Sequence, residues 1–465
     1  MQHTEPPLQP SLTYLRPEVQ ALKDRLDIFI EQEVIPCERL YHEHMHSRHG
    51  KERWTMDALP PCLVTLQQRA QSLGLWNLFL PPRLLQHIST SSNIPNQWLP
   101  KIPLSYREYG ILAESMGKSE LGAMACNCSA PDTGNMEVLL EFGTPQQQQE
   151  YLLPLLQGKI RSTFLMTEPD VASSDPTNLQ TSLRKIERDG QVVSYELTGK
   201  KWWSTGAMDP RCRVGICVAK METETATSSS LHGKHTIVLV PLPHPNVKLV
   251  RPLTVFGYDD APFGHAQVEL CNVPLFSEHL IGGEGSGFQV SQARLGPGRI
   301  HHCMRAVGMA QRCYDLMLER SLSRKTFGKQ LSEHGSLQRD IADSFSDLQA
   351  ARLLTLHCAH QMDLYGPKQS RHYISSIKVA VPHLVMQILD RALQSYGGAG
   401  VCQDTVIASA WANMRTLRIA DGPDEVHRRT VARLEINNTK NKMTARNGDQ
   451  QGKQQQHKFD FTSRL

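Results

Sequence analysis

The chain predicts an α+β protein of three consecutive parts: a helical domain, an antiparallel β-domain and a second helical bundle. Three observations predict it. Apolar residues recur at helical spacing up to about residue 160. Short runs rich in Val, Ile and Leu, bounded by turn residues, replace them between about 161 and 280. Long helical patterns return near Phe288. The 465 residues are enough for two or three domains sharing a sizeable core. The boundaries read as 13–160, 161–280 and 281–436, with a polar tail at 437–465.

The elements follow in order. Pro17 fits a first helical position, and Val19, Leu22, Leu26, Phe29 and Ile30 share a face before Pro36, which is expected to stop the run. Further helical patterns cover 106–116, 135–142 and 146–156, while 80–101, with four prolines, reads as loop. Strands are expected at 192–197, 213–219, 236–240, 247–253 and 266–270, with a Ser/Thr-rich loop at 221–235. Helices at 288–317, 336–363 and 371–396 come next, then two shorter ones. The tail is Gln-rich and polar, and is expected to be disordered.

Composition excludes several classes. No stretch approaches the roughly 18 apolar residues of a membrane span. The first ten residues have neither a basic start nor an apolar run, against a secretory signal. Eleven cysteines lie scattered without zinc-like or CxxC spacing, and Cys126 and Cys128 are too close for either; they read as buried thiols in a reducing compartment. The net charge of +4 comes from 50 basic and 46 acidic residues, and the tail alone carries six basic against two acidic. A neutral body with a basic tail gives little support to nucleic-acid binding.

Five stretches can carry chemistry, each with a plainer reading beside it. FLMTEPDVASSD at 164–175 gathers hydroxyls and turn formers that can donate to a heteroaromatic ring or a carbonyl, though polar turns are common. GKKWWSTG at 199–206 can wall a flat cofactor with its paired tryptophans, or be a core strand with one exposed ring. RKTFGK at 324–329 has three cations suited to phosphate, although such runs usually end as solvated helix termini. QSYGGAG at 394–400 lets backbone approach a ligand, or merely caps a helix. In ADGPDEVH at 420–427, Pro423 fits a first helical position, Asp424 and Glu425 suit the helix dipole, and Asp421 is either a free carboxylate or an N-cap. His301, His302 and Cys303 point different ways from one helix, so they read as packing and no metal is expected.

Taken together and in this order, the five stretches resemble those of the acyl-CoA dehydrogenase family, over about residues 15–436. APDTGNMEVL at 130–139 and RLGPGRIHHCMR at 294–305 are similar to the branch of family members ten and eleven. Animal proteins of that branch often carry a kinase-like domain ahead of the dehydrogenase part, and the resemblance here is to the dehydrogenase part alone. It implies non-covalent FAD and a homodimer or homotetramer. Phe164, Met166, Thr167, Ser173, Ser174, Trp203, Ser204 and Thr205 would then hold the flavin, with Pro423 and Glu425. Arg324, Phe327, Gln394, Gly397 and Gly398 would reach the FAD of a neighbouring subunit. Ala172, Ser174, Leu295, Arg299 and Gly422 would line the acyl-CoA path.

The implied reaction is α,β-dehydrogenation of a fatty acyl-CoA to the trans-2-enoyl-CoA in fatty acid β-oxidation. It needs an ionised carboxylate to take the α-proton. Asp421 stands where most relatives have a catalytic Glu, and the family's other base position, beside Arg299, holds Gly298. Asp is about 1.5 Å shorter in reach. Two further departures bear on substrate class: the loop 169–175 is one residue longer than the common form, and Ser409 replaces a basic residue. The acceptor would be electron-transfer flavoprotein, or oxygen if the protein is an acyl-CoA oxidase; a non-catalytic flavoprotein serving as a binding partner is the reading from another class. Ser463, Arg464 and Leu465 match a variant peroxisomal address, with the mitochondrion as the alternative.

Overall fold

The computed structural model describes the backbone of residues 11–91, 94–222 and 235–462. Helix α1 (Pro17–Phe29) buries Val19, Leu22, Leu26 and Phe29 and passes through a π turn, Ile30–Val34, into α2 (Ile35–His46). Pro36 therefore does not stop the run. The π turn takes up an extra residue, so the missing N–H of Pro36 falls at the start of α2, where it breaks no helical bond. After α3 (Pro61–Ser72), the stretch expected as loop contains α4 (Pro82–Ser91). Its opening proline suits a helix start, and Leu84 and Ile88, one turn apart, are buried. Then come α5 (Tyr106–Gly117), closed by a Ser105/Glu108 capping box, α6 (Gly122–Ala125), α7 (Asp132–Phe142), α8 (Pro145–Gln147) and α9 (Leu153–Leu156).

The middle of the chain is a sheet of β1 (Arg161–Leu165), β2 (Ser182–Arg188), β3 (Gln191–Thr205), β4 (Cys212–Met221), β5 (His235–Pro241), β6 (Val247–Leu253), β7 (His265–Leu275) and β8 (Leu280–Ile281). Each of the five expected strands is there. The sheet is mixed, however, and not antiparallel: β1 and β2 both run parallel to β4. One edge of β4 is shared, with Phe164 opposite Ile216 and Leu183 opposite Met221. Residues 166–181 leave the sheet between those pairings. Strand β4 is buried on both faces from Val214 to Ala219, as suits a strand in the interior of a mixed sheet. Of the loop expected at 221–235, positions 223–234 lie outside the described residues.

The second helical part holds α10 (Gly287–Ser323), a small hairpin of β9 (Lys325–Thr326) and β10 (Lys329–Gln330), then α11 (Gly335–Gln369), α12 (Arg371–Tyr396), α13 (Val406–Thr416) and α14 (Asp424–Thr462). Helix α10 is the hub: it packs on α11 and α12, on α5 and α7, and on β5. One core runs through both helical parts, with Ile30, Met116, Met304, Val307 and Ile377 buried in it, while Leu197, Val238 and Val268 belong to a separate core inside the sheet. The stretch expected to be disordered continues α14 as helix to Thr462. It is rich in Lys and Gln and has no proline, so propensity carries the helix on although 437–444 are exposed. Ser463, Arg464 and Leu465 lie outside the described residues.

Candidate active site

The turn between α13 and α14 presents Asp421 in a left-handed conformation, φ 55°, followed by Gly422 at φ 98°. Asp is one of the few residues with a side chain that tolerates this region. Gly422 is required for a further reason, since a Cβ there would lie 2.7 Å from Nε2 of His427. That close approach lets His427 Nε2 donate to the Asp421 carbonyl at 3.1 Å. Arg299 Nε donates to the same oxygen, also at 3.1 Å. Buried Lys378, on α12, donates to the carbonyls of Leu417 and Ala420. Arg418 and Asp424 pair across the turn at 2.8 Å. The backbone under Asp421 is thus held from three helices, and Asp421 caps none of them. Pro423 lies one residue ahead of α14, not at its first position, with its carbonyl accepting from Val426.

The Asp421 carboxylate remains about a quarter exposed, with Oδ2 3.4 Å from His302 Nε2. Burial alone pushes its pKa up, but His302, Arg294, Lys378 and Arg299 outweigh burial and hold it below the usual range. His302 itself is pushed down to about 4, by burial first and then by Arg305. At neutral pH the site therefore holds an anionic Asp421 beside a neutral imidazole.

The loop at 164–175 and the tryptophan strand come together as the motifs suggested. Trp202 N donates to the Thr167 carbonyl at 2.9 Å. The loop is braced from within: Ser173 Oγ accepts from Glu168 N, and the Glu168 carboxylate accepts from Gln180 N, Thr181 N and Lys201 Nζ. Lys201 also reaches the carbonyls of Met166 and Val218. Trp203 sits at a bulge with φ 51° and is 40% exposed. Ser204 Oγ, on the next residue, and Thr163 Oγ1, on β1, are buried without a hydrogen-bond partner among the described residues, and Thr205 Oγ1 meets His265 Nδ1 at 2.9 Å. Phe164 joins this wall to α10, its ring 3.9 Å from the Arg294 guanidinium. Ala172 and Ser174 are exposed on the loop.

A second group lies apart. Arg324 ends α10, 25 residues beyond Arg299, which is about 37 Å at 1.5 Å per residue. Phe327, at the tip of the β9–β10 hairpin, is 96% exposed. Gln394, Gly397 and Gly398 are exposed at the end of α12. Arg320 over the Tyr396 ring, 5.1 Å to its centroid, ties that turn to the end of α10.

Two family models match in sequence order: acyl-CoA dehydrogenase, middle domain, over residues 163–271, and acyl-CoA dehydrogenase, C-terminal domain, over 285–435. The chain belongs to the acyl-CoA dehydrogenase family. It is 45% identical over 421 residues to acyl-CoA dehydrogenase family member 11 of Gallus gallus, covering 90% of this chain and 50% of that protein. The chain thus spans about half the length of the curated relatives it matches. A protein of Mycobacterium abscessus described as an acyl-CoA dehydrogenase superposes with a TM-score of 0.81 at 40% identity, over 92% of this chain and 100% of that one. The fold also matches a glutaryl-CoA dehydrogenase of Mycobacterium smegmatis solved with FADH2, with a TM-score of 0.70 at 18% identity, over 90% and 95% of the two chains.

Set against the family motifs, Asp421, Arg299 and Gly422 form one cluster, and Thr167 and Trp203 belong to another. Arg324, Phe327, Gln394, Gly397 and Gly398 are remote from Asp421 on the same chain, and Glu425 is exposed. The side chain of Leu295 lies outside the described residues. Sequence reasoning missed Lys378, Lys201 and Glu168, and read the 301–303 cluster as packing. That holds for His301, edge-on to Tyr109, and for buried Cys303, but His302 faces Asp421. The signal was spacing: 299, 302 and 305 lie three apart on α10, so their side chains share a face.

Proposed function

We propose that this chain binds FAD and dehydrogenates an acyl-CoA across its α and β carbons, with Asp421 as the base. The observation that carries the reading is Asp421 itself: a partly open carboxylate, kept ionised by surrounding donors on a backbone held from three helices. The wall beside it fits a flat polar ring, since Trp203 offers a half-open aromatic face and the next residue, Ser204, has a hydroxyl unpartnered among the described residues. Bound FAD supplies the hydride acceptor that no side chain here provides. Asp421 accepts the α-proton, and its own charge is neutralised as negative charge grows on the thioester. Arg299 and His427 keep its backbone from yielding as the proton moves.

Arg324, Phe327, Gln394, Gly397 and Gly398 stand too far from Asp421 to serve it within one chain. We assign them to the FAD of a neighbouring subunit, in a homodimer or homotetramer. The acceptor in this reading is electron-transfer flavoprotein, and the pathway is fatty acid β-oxidation. On Ser463, Arg464 and Leu465 we assign the protein to the peroxisome, which a fluorescent fusion lacking Leu465 tests by failing to enter that organelle. The decisive experiment is an anaerobic titration of the purified flavoprotein with acyl-CoAs from short to very long. Bleaching of the flavin band by one class supports the reading and bounds the substrate; a yellow protein that no thioester bleaches rejects it.

A further inference from the structure

Helix α10 carries a chain of contacts that ends on the Asp421 carboxylate. Arg305 is anchored to the helical domain by Nη1, which donates to the Cys128 carbonyl at 2.8 Å. Its Nη2 lies 3.2 Å from His302 Nδ1. A guanidinium only donates, so Nδ1 accepts, and a neutral imidazole must then carry its proton on Nε2. That nitrogen is the one 3.4 Å from Asp421 Oδ2. The gap is a few tenths longer than a formed N–H···O bond, as contacts at ligand-free sites commonly are before substrate tightens them.

We propose that His302 is the positioning residue of the base: Arg305 fixes its tautomer, and its Nε2–H aims the short Asp421 carboxylate and keeps it ionised as substrate expels water. The inference rests on Asp421 being the base. It also explains how an Asp can serve where a longer Glu is usual, because the donor stands behind the carboxylate and restrains its rotation. The groups facing the pair are Arg294, Arg299 and Arg305 from α10, Lys378 from α12 and His427 from α14, with Asp424 acting on Lys378. With its own pKa near 4, His302 is a neutral donor throughout pH 5–9. The imidazole therefore contributes no step to a pH profile over that range.

The test compares the parent with His302→Leu, His302→Gln and Asp421→Asn in the anaerobic rate of flavin bleaching between pH 4 and 9. Losing the donor raises the carboxylate pKa, so in His302→Leu the acid limb should move up by about one pH unit, slowing bleaching about tenfold on the acid side of that limb. The rate at high pH should stay within a few-fold of the parent, with flavin content unchanged. His302→Gln keeps an amide donor and should restore most of the loss. An unmoved acid limb in His302→Leu, or a Gln variant as slow as Leu at every pH, overturns the inference while leaving the base assignment intact. Bleaching by Asp421→Asn at the parent rate overturns both. Carboxyl carbon NMR of the Asp-labelled protein gives an activity-free readout: the Asp421 resonance, identified by its loss in Asp421→Asn, should titrate about one unit higher in His302→Leu.

Discussion

The two ends of α10 contrast. Between Arg294 and Arg305 the polar side chains are held: Arg294 by Asn135, Arg299 by the Asp421 carbonyl, Arg305 by Cys128 and His302. About 27 Å beyond Arg305, the same helix gives way to a hairpin that leaves Phe327 96% exposed. In the proposed reading the first end completes its chemistry inside one chain, and the second is a surface that a neighbouring subunit covers. Burying a Phe side chain is worth roughly 1.5–3 kcal/mol, so leaving one bare at a hairpin tip is a standing cost unless another body covers it. One end therefore reads as a reaction centre and the other as half of an interface.

The largest test of this contrast is Asp421→Asn, which removes the proton acceptor without changing shape. Flavin bleaching should slow about 10³-fold, with the oxidised spectrum and the oligomer unaltered. Next is Lys378→Met, which strips the charged donor that α12 places under the turn and leaves the carbonyls of Leu417 and Ala420 short of a donor. The loss should cost about 1–3 kcal/mol by denaturant titration and lower the bleaching rate with little change in the substrate concentration at half-saturation. A variant of full rate and stability would show the turn to be rigid without it. Smaller, and at the opposite end, is Phe327→Ala. It should leave the monomer's helix content intact and weaken subunit association or flavin retention about tenfold, read by sedimentation and by absorbance after gel filtration. An unchanged oligomer with full flavin would break the contrast at its open end.

The contrast also marks how far the sequence could be read. Periodicity found α1, α10, α11 and α12, because burial of one face, as in Val19, Leu22 and Leu26, writes a 3.6-residue rhythm, but it did not find the length of α14. Strands β3 to β7 were legible from β-branched runs. The parallel pairing of β1 and β2 with β4 was not, because partner choice across 50 residues leaves no local mark. Asp421 and Arg299 were found through their motifs, but Lys201 was not. A charge on the inward phase of a strand signals only that some partner exists, not that it is Glu168. Likewise Lys378 lies within a helical apolar face, and its targets are backbone carbonyls that no residue identity encodes.

Glu137, on α7, is the exception at the closed end. It is 5% exposed, its Oε1 has no hydrogen-bond partner among the described residues, and burial pushes its pKa up to about 8 despite Arg83 and Arg294. Its usual value is near 4.5. Between those two pH values the unfolded chain has lost the proton while the folded chain keeps it, so stability falls as pH rises through that window. Glu137→Gln keeps the shape of the protonated acid and removes the titration. The variant and the parent should therefore unfold at the same denaturant concentration at pH 4.5 and diverge steadily above it. By pH 8 the variant should lead by on the order of 3 kcal/mol. A constant difference across pH would mean that Glu137 is ionised and paired, and that the closed end has no exception at all. Divergence on this pattern would show instead that α7 tolerates a protonated acid beside Arg294, and that the cations of α10 act chiefly on Asp421.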